Sequence, residues 1–177
     1  EFILGESDVR GFFVAAGFSA HGIAGAGGIG RQVASWIVDG EPELDLWKMD
    51  IRRFGPAYRS GSFTLARAVE NYATYYDIHY PNEERQSGRP LRTAPAYEEL
   101  ARLGAVFGEK SGWERPNWFE PNADDPRFGG RAALEVLRPR GWAGQHWSPA
   151  IAAEALATRT AAGLFDESSF AKLEVTG

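Results

Sequence analysis

Apolar side chains recur at helical spacing in three segments of the chain. The first segment is residues 28–39, which Gly40 is placed to end. The second is residues 63–79, whose apolar stripe is half aromatic and is expected to face a core. The third is residues 148–162, which opens on a serine and a proline, the residue types that favour a helix start. The stripes of the first two helices consist of Ile29, Val33, Trp36 and Ile37, and of Leu65, Val69, Tyr72 and Tyr76.

Short apolar runs predict two internal strands. One lies at residues 12–16, between two glycines, and the other at residues 134–137. Between the second and third helices, residues 80–119 predict an irregular connector, rich in large aromatic side chains, with one short helix over residues 95–103. Helices and strands in this order, without regular alternation, predict an α+β fold.

Both ends of the chain have the pattern of strands that lack partners. Residues 1–4 are strand-like, and residues 172–177 alternate polar and apolar side chains. The strand over residues 12–16 also has no evident sheet to join. We therefore expect an internal piece of a larger protein, in several parts rather than one compact domain. Apolar residues whose partners are missing should then be exposed, as we expect for Val14, Trp36 and Leu173.

Six glycines follow the strand at residues 12–16, up to and including the first turn of the predicted helix at residues 28–39. Glycine removes the side chain where a backbone must approach another group closely, and the first N–H groups of a helix have no partner within the helix. Such a loop favours binding of an anion or a dipole. The glycines are Gly17, Gly22, Gly25, Gly27, Gly28 and Gly30.

Two other interpretations of these glycines stay open. Gly25, Gly27 and Gly30 fit the dinucleotide-binding spacing G-x-G-x-x-G, and Asp50 lies where a ribose-binding carboxylate is expected. However, seven residues separate Gly17 from the first glycine of that motif, and strands and helices do not alternate downstream. A glycine-rich turn with a purely structural role is the second alternative.

Composition excludes several classes of function. The 177 residues are 44% hydrophobic and carry a net charge of -5 without a basic block, which argues against a nucleic-acid partner. No stretch has the length of a membrane span, so no membrane partner is expected. The chain has no cysteine and three histidines, which makes a metal site unexpected, and no signal peptide is evident. These features predict a cytoplasmic protein.

Arginines are dense in the middle of the chain. We expect them to pair with nearby glutamates, although a bidentate arginine would also suit a substrate carboxylate. His146 lies between two tryptophans, which predicts a packed rather than a catalytic histidine. The arginines are Arg52, Arg53, Arg85, Arg89, Arg92 and Arg115, and the glutamates are Glu83, Glu84, Glu98, Glu99 and Glu114.

Three stretches carry a resemblance to one family. Residues 17–54, which begin GFSAHGIAGAGG and end DIRRF, resemble the end of the flavin domain in dimethylglycine and sarcosine dehydrogenases. Residues 89–119, with RPLR and GWERPNWF, resemble the middle domain of that family. Residues 159–177, with GLFD and a final VTG, resemble the opening of its folate-binding aminomethyltransferase domain. The resemblance implies domain segments at residues 1–54, 55–119 and 120–177 of a multidomain flavoenzyme.

The resemblance also implies a function. Such enzymes oxidise an N-methyl group of dimethylglycine or sarcosine at FAD and pass the one-carbon unit to tetrahydrofolate. In the family the helix after the G-F-S-x-H-G loop faces the pyrimidine end of the flavin. The expected partners are a small N-methyl amine and the remainder of the same polypeptide. No residue here is assigned to catalysis or to a metal, and folate-binding residues are expected outside this chain. The implied FAD contacts are His21, Gly22, Ile23, Ala24, Gly25, Ala26, Gly27 and Gly28.

A different class of function is compatible with the same sequence. A stand-alone interaction module could use the aromatic connector to bind a partner without catalysis. The visible absorbance of a bound flavin separates the two hypotheses.

Overall fold

The computed structural model describes residues 2–177, and the chain divides into two compact units, Glu1–Arg59 and Ser60–Gly177. In the first unit, strand β1 (Ile3–Glu6) pairs antiparallel with strand β2 (Phe13–Ala16). The predicted strands at both places are confirmed, although Glu1 lies outside the described residues. The expectation that β2 lacks a sheet partner is wrong, because β1 supplies one.

Helix α1 (Gly22–Asp39) follows this hairpin and ends at Gly40, whose φ of 87° is left-handed. The Trp36 side chain on α1 is only 6% exposed, so the expectation that it would be exposed is wrong. It lies against Gly5 of β1, where a Cβ would stand 2.5 Å from Trp36 Cη2. Glycine is needed at that position both for this close approach and for its φ of +102°. Val14 is half-buried, whereas Leu173 is exposed as expected.

The second unit opens with helix α2 (Gly61–Ala73), which Ser60 caps by accepting a hydrogen bond from the Phe63 N–H at 3.3 Å. The helix ends six residues before the predicted limit of residues 63–79. Its predicted core stripe is wrong as well, because those four side chains are between 61% and 91% exposed. Those side chains are Leu65, Val69, Tyr72 and Tyr76.

An antiparallel hairpin occupies much of the connector that the sequence predicts to be irregular. After helix α3 (Tyr97–Arg102), strand β3 (Ala105–Lys110) pairs with strand β4 (Trp113–Phe119). The two-residue turn consists of Ser111 and Gly112, with φ of 52° and 80°. Two positive φ angles at the centre of a two-residue loop match the twist of the flanking strands.

Two helices complete the second unit. Helix α4 (Gly130–Glu135) replaces the predicted strand at residues 134–137, because the apolar run is short and Leu134 buries its side chain from a helix. Helix α5 (Pro149–Thr160) confirms the third predicted helix, with Ser148 as its cap. Residues 172–177 form no strand. The core of this unit includes Ala123, Leu134, Ala150 and Ala153.

Candidate functional site

The amino-terminal end of α1 carries unpaired hydrogen-bond donors. The helix begins at Gly22, six residues before the predicted start, and His21 precedes it without a side-chain cap. The Gly25 N–H donates to the carbonyl of His21 at 2.9 Å, so the donors left without a helical acceptor are those of Gly22, Ile23 and Ala24. No acidic side chain lies in the first turn. This end of the helix is therefore free to attract negative charge from outside the chain.

The earlier start changes the roles of the predicted contact residues. The predicted set His21–Gly28 lies on the cap and first two turns of α1. Its first-turn members offer N–H groups, whereas the N–H groups of Gly27 and Gly28 belong to the ladder within the helix. Those two glycines can only offer close approach of the backbone.

The loop that enters α1 has an unusual backbone. Gly17, Ser19 and Ala20 have φ of 71°, 45° and 67°. A left-handed alanine or serine costs conformational energy, and such residues are concentrated at ligand sites. The His21 Nδ1–H donates to the carbonyl of Ser19 at 2.8 Å, which fixes the imidazole at the entrance to the helix. The sequence points to this loop through its G-F-S-x-H-G pattern but does not reveal its left-handed backbone, because no residue type in it except Gly17 favours a positive φ.

The glycines of α1 differ in what surrounds them. A Cβ at Gly25 would lie 2.8 Å from Ile29 Cδ1, the end of a flexible side chain, so a larger residue there requires Ile29 to shift. At Gly27, Gly28 and Gly30, no heavy atom of the described residues outside the local helix backbone lies within 4 Å of a built Cβ. Ile23 is 97% exposed beside them. The chain's own packing therefore does not explain these three glycines.

A cleft of about 900 Å³ in the second unit contains a network of paired charges. Arg89 and Glu114 form a bidentate ion pair there, which confirms one of the predicted pairings. Glu120 accepts hydrogen bonds at 2.8 Å from Arg131, Ser148 and the indole of Trp118. Burial raises the pKa of Glu120, but these donors together bring the pKa below its ordinary value. The carboxylates of this network are already neutralised or hydrogen-bonded, which is typical of a structural network.

The other predicted arginines have different contacts from those expected. Arg52 pairs with Asp50 at 2.6 Å, and Arg53 donates to the carbonyl of Phe2 at 3.0 Å. Arg92 lies over Trp113, with 4.1 Å from Cζ to the ring centroid. The remaining contacts are those of Arg115 over Phe170 and of Arg85 with Thr74 and His79. These contacts give no support to a substrate carboxylate bound by an arginine of this chain.

His146 differs from the prediction. Its side chain is exposed at the cleft, and its ring centroid lies 6.0 Å from that of Tyr80. The prediction of a packed histidine is wrong, because the His146 side chain is itself exposed.

Residues 2–177 contain neither a metal-binding cluster nor a helix that could span a membrane. No group of three or more histidine, aspartate and glutamate side chains in this range is arranged to hold a metal ion. None of the helices described in this range is long and apolar enough to cross a bilayer.

The sequence matches two domain families in succession. Residues 39–94 match the central domain of FAD dependent oxidoreductases, and residues 96–177 match the GCVT N-terminal domain. The first match begins at the last residue of α1, and the second includes the hairpin and both later helices.

Individual proteins match across nearly the whole chain. The 4-methylaminobutanoate oxidase (formaldehyde-forming) of Paenarthrobacter nicotinovorans is 37% identical over 99% of the chain and 20% of its own length. The mitochondrial sarcosine dehydrogenase of Homo sapiens is 37% identical over 99% of the chain and 21% of its own length. The mitochondrial pyruvate dehydrogenase phosphatase regulatory subunit of Mus musculus is 35% identical over 98% of the chain and 19% of its own length.

The chain thus spans about a fifth of the length of the curated relatives it matches. Within that fifth, two domain families occur in the same order as the resemblance implies. Residues 39–94 and 96–177 thus belong to these two domain families, and the chain is similar over nearly its whole length to proteins named as sarcosine and dimethylglycine dehydrogenases.

Proposed function

We propose that this chain is part of a flavin-dependent oxidoreductase that oxidises an N-methyl group of a small amino acid, with sarcosine and dimethylglycine as the candidate substrates. The observation that carries the proposal is the similarity over 96 to 99% of the chain to proteins named as an oxidase and as dehydrogenases of N-methyl amino acids. A bound flavin would accept the hydride from the N-methyl group.

The residues of α1 fit the role of holding the pyrimidine end of FAD. Gly22, Ile23 and Ala24 present N–H donors without a side-chain cap, and the helix dipole makes this end electropositive. The open backbone at Gly27 and Gly28 would permit a planar ring system to approach closely. In this role the helix end stabilises negative charge, and His21 lines its entrance. The chain supplies no proton-transfer group to this proposal.

We further propose that the one-carbon unit passes to tetrahydrofolate. This step is supported by the GCVT N-terminal domain match over residues 96–177. The carboxylates of the cleft network in this region are already paired with cations or hydrogen-bond donors within the unit, so the chain's contribution is a stable framework. Residues that contact folate are proposed to lie outside this chain.

A second candidate function is a regulatory subunit without catalysis. It is favoured by the 35% identity to a protein named as a regulatory subunit of a phosphatase. In that case the open helix end of α1 would have no catalytic role, and the complete protein would not turn over an N-methyl amine.

The complete polypeptide that contains this chain tests both candidates. After purification, its absorbance spectrum should show visible flavin bands. Formaldehyde should form from sarcosine or dimethylglycine when an electron acceptor is supplied to reoxidise the flavin and tetrahydrofolate is omitted. Adding tetrahydrofolate should lower free formaldehyde without lowering substrate consumption. Turnover of a hydroxy acid alone would overturn the proposal, and a flavin-free protein without turnover would favour the regulatory function.

A further inference from the structure

Helix α2 (Gly61–Ala73) turns its polar side inward and its apolar side outward. Leu65, Val69 and Tyr72 form one stripe, which Tyr76 extends just beyond the helix. Their exposed fractions are 67%, 61%, 86% and 91%. The usual surface helix of a folded domain buries the apolar stripe, so this orientation is the reverse of the expected one.

The inward side of α2 is held by charged and hydrogen-bonded groups. Arg67 forms an ion pair with Glu109 of β3, and the two side chains are 16% and 14% exposed. Glu70 accepts hydrogen bonds from the backbone N–H of Gln86 at 2.8 Å and of Ser87 at 3.2 Å. These contacts fix the rotation of the helix, because turning the apolar stripe inward would break them all and bury unpaired charges.

The helix geometry separates the two sides cleanly. At 100° per residue, Arg67 and Glu70 lie about 100 to 160° around the axis from Leu65 and Val69. The helical part of the stripe, from Leu65 to Tyr72, extends about 10 Å along the axis at 1.5 Å per residue. Its members carry no charge, and tyrosine is among the residues enriched at buried interfaces. Within the second unit, these four side chains stay mostly exposed.

We propose that the stripe Leu65, Val69, Tyr72 and Tyr76 is the docking surface for a segment of the same polypeptide outside residues 1–177. The relatives that match 98 to 99% of this chain are about five times as long, so most of the family's polypeptide lies outside the structure. A segment of the same polypeptide has a high effective concentration at the stripe. Such a segment would also keep the apolar side chains out of water, and exposed apolar patches of this kind mark interaction sites.

Site-specific photo-crosslinking in the complete polypeptide tests this inference. Benzoylphenylalanine replaces Tyr72 in one variant and Asn71, an exposed polar neighbour on the same helix, in the matched control. An equal mixture of heavy-isotope-labelled and unlabelled protein is irradiated and analysed by mass spectrometry. We expect the Tyr72 probe to link, within one polypeptide, to peptides outside residues 1–177, at least fivefold more than the Asn71 probe.

Four results would overturn the proposal: links between labelled and unlabelled copies, links to a different protein, links only within residues 1–177, or no excess over the control. The variant Val69→Lys provides a second measurement. It should lower the apparent melting temperature of the complete protein by more than Asn71→Lys does, and equal melting temperatures would contradict the proposal. The proposal is independent of bound flavin, so it can fail while the proposed function holds.

Discussion

The guanidinium of Arg89 and the carboxylate of Glu114 form a bidentate ion pair, with 2.9 Å between Nε and Oε1 and 2.5 Å between Nη2 and Oε2. Their side chains are 13% and 3% exposed. Arg89 also donates to the carbonyls of Arg85 and Phe107. The pair therefore attaches the segment that precedes α3 to both strands of the β3–β4 hairpin.

Removing one partner of this pair should be strongly destabilising. Glu114→Ala leaves the Arg89 charge buried without its partner, which costs about 3–5 kcal/mol. The double variant Arg89→Met, Glu114→Leu should recover much of that loss, because it leaves no unpaired charge. Glu99→Ala is the control, since the Glu99–Arg102 pair is exposed and contributes at most about 1 kcal/mol. Thermal unfolding of the complete protein measures all three, and equal effects of Glu114→Ala and Glu99→Ala would contradict the account.

Gly27→Val tests whether a ligand approaches α1 closely. The chain itself should tolerate the variant, because a Cβ at Gly27 meets no described atom within 4 Å outside the local helix backbone. Valine is also a better helix former than glycine by a few tenths of a kcal/mol, roughly. Loss of FAD content with unchanged folding would therefore locate the flavin against this glycine. Ala34→Val, two turns further along the same face, should retain full FAD content, and full content in both variants would count against the proposed site.

A negative charge in the first turn of α1 should lower the reduction potential of the flavin. Ala24→Glu would oppose the electropositive helix end, whose interaction with a charge is worth about 0.3 to 2 kcal/mol. Since 1.4 kcal/mol corresponds to about 30 mV for a two-electron couple, the expected decrease is about 10 to 40 mV. Ala24→Gln is the neutral control of similar shape. A potential that is equal in the two variants would show that the helix end does not face the flavin.

Glu70 should make the stability of the second unit depend on pH. Burial raises the pKa of this carboxyl, but the N–H of Gln86, the hydroxyl and N–H of Ser87, and Arg67 together lower it below the ordinary 4.5. A lowered pKa stabilises the fold fully above pH 4.5, and the contribution is lost as the pH falls through the folded-state pKa. Glu70→Gln should therefore reduce the melting temperature at neutral pH, with the gap closing below pH 4.5.

Glu98 is exposed on helix α3, so the variant Glu98→Gln is the control for the loss of one negative charge. A gap between the parent protein and Glu70→Gln that stays constant from neutral to acid pH would contradict the linkage.

Elements with local signals were predictable from the sequence. Helix α5 has its cap and proline in adjacent positions, Ser148 and Pro149, and α1 ends at Gly40 as predicted. The hairpin of β3 and β4 was not recognised, because Pro116 and Gly108 interrupt its apolar pattern and only Ser111-Gly112 marks its turn. Pairing across that turn decides the structure there, rather than the propensity of either strand.

Burial proved harder to predict than secondary structure. Trp36 is buried because Gly5, distant in sequence, leaves room for the indole, and no periodicity reveals such a contact. The apolar stripe on α2 shows the opposite error, since it was expected to be buried and is exposed. The ion pair between Arg67 and Glu109 fixes the helix with its polar side inward. The unpaired N–H donors of α1 lie in a first turn that begins at Gly22, six residues before the predicted start. The reason is that α1 continues through Gly25, Gly27 and Gly28 in spite of their low helix propensity.

Anaerobic reduction tests the central claim most directly. The complete polypeptide, freed of oxygen, is mixed with sarcosine or dimethylglycine while its visible absorbance is recorded, with a hydroxy acid as the control substrate. The account predicts that the oxidised flavin spectrum is bleached by at least one of the two N-methyl amino acids and not by the hydroxy acid. A flavin spectrum that neither amine changes, or a protein without flavin, would contradict it.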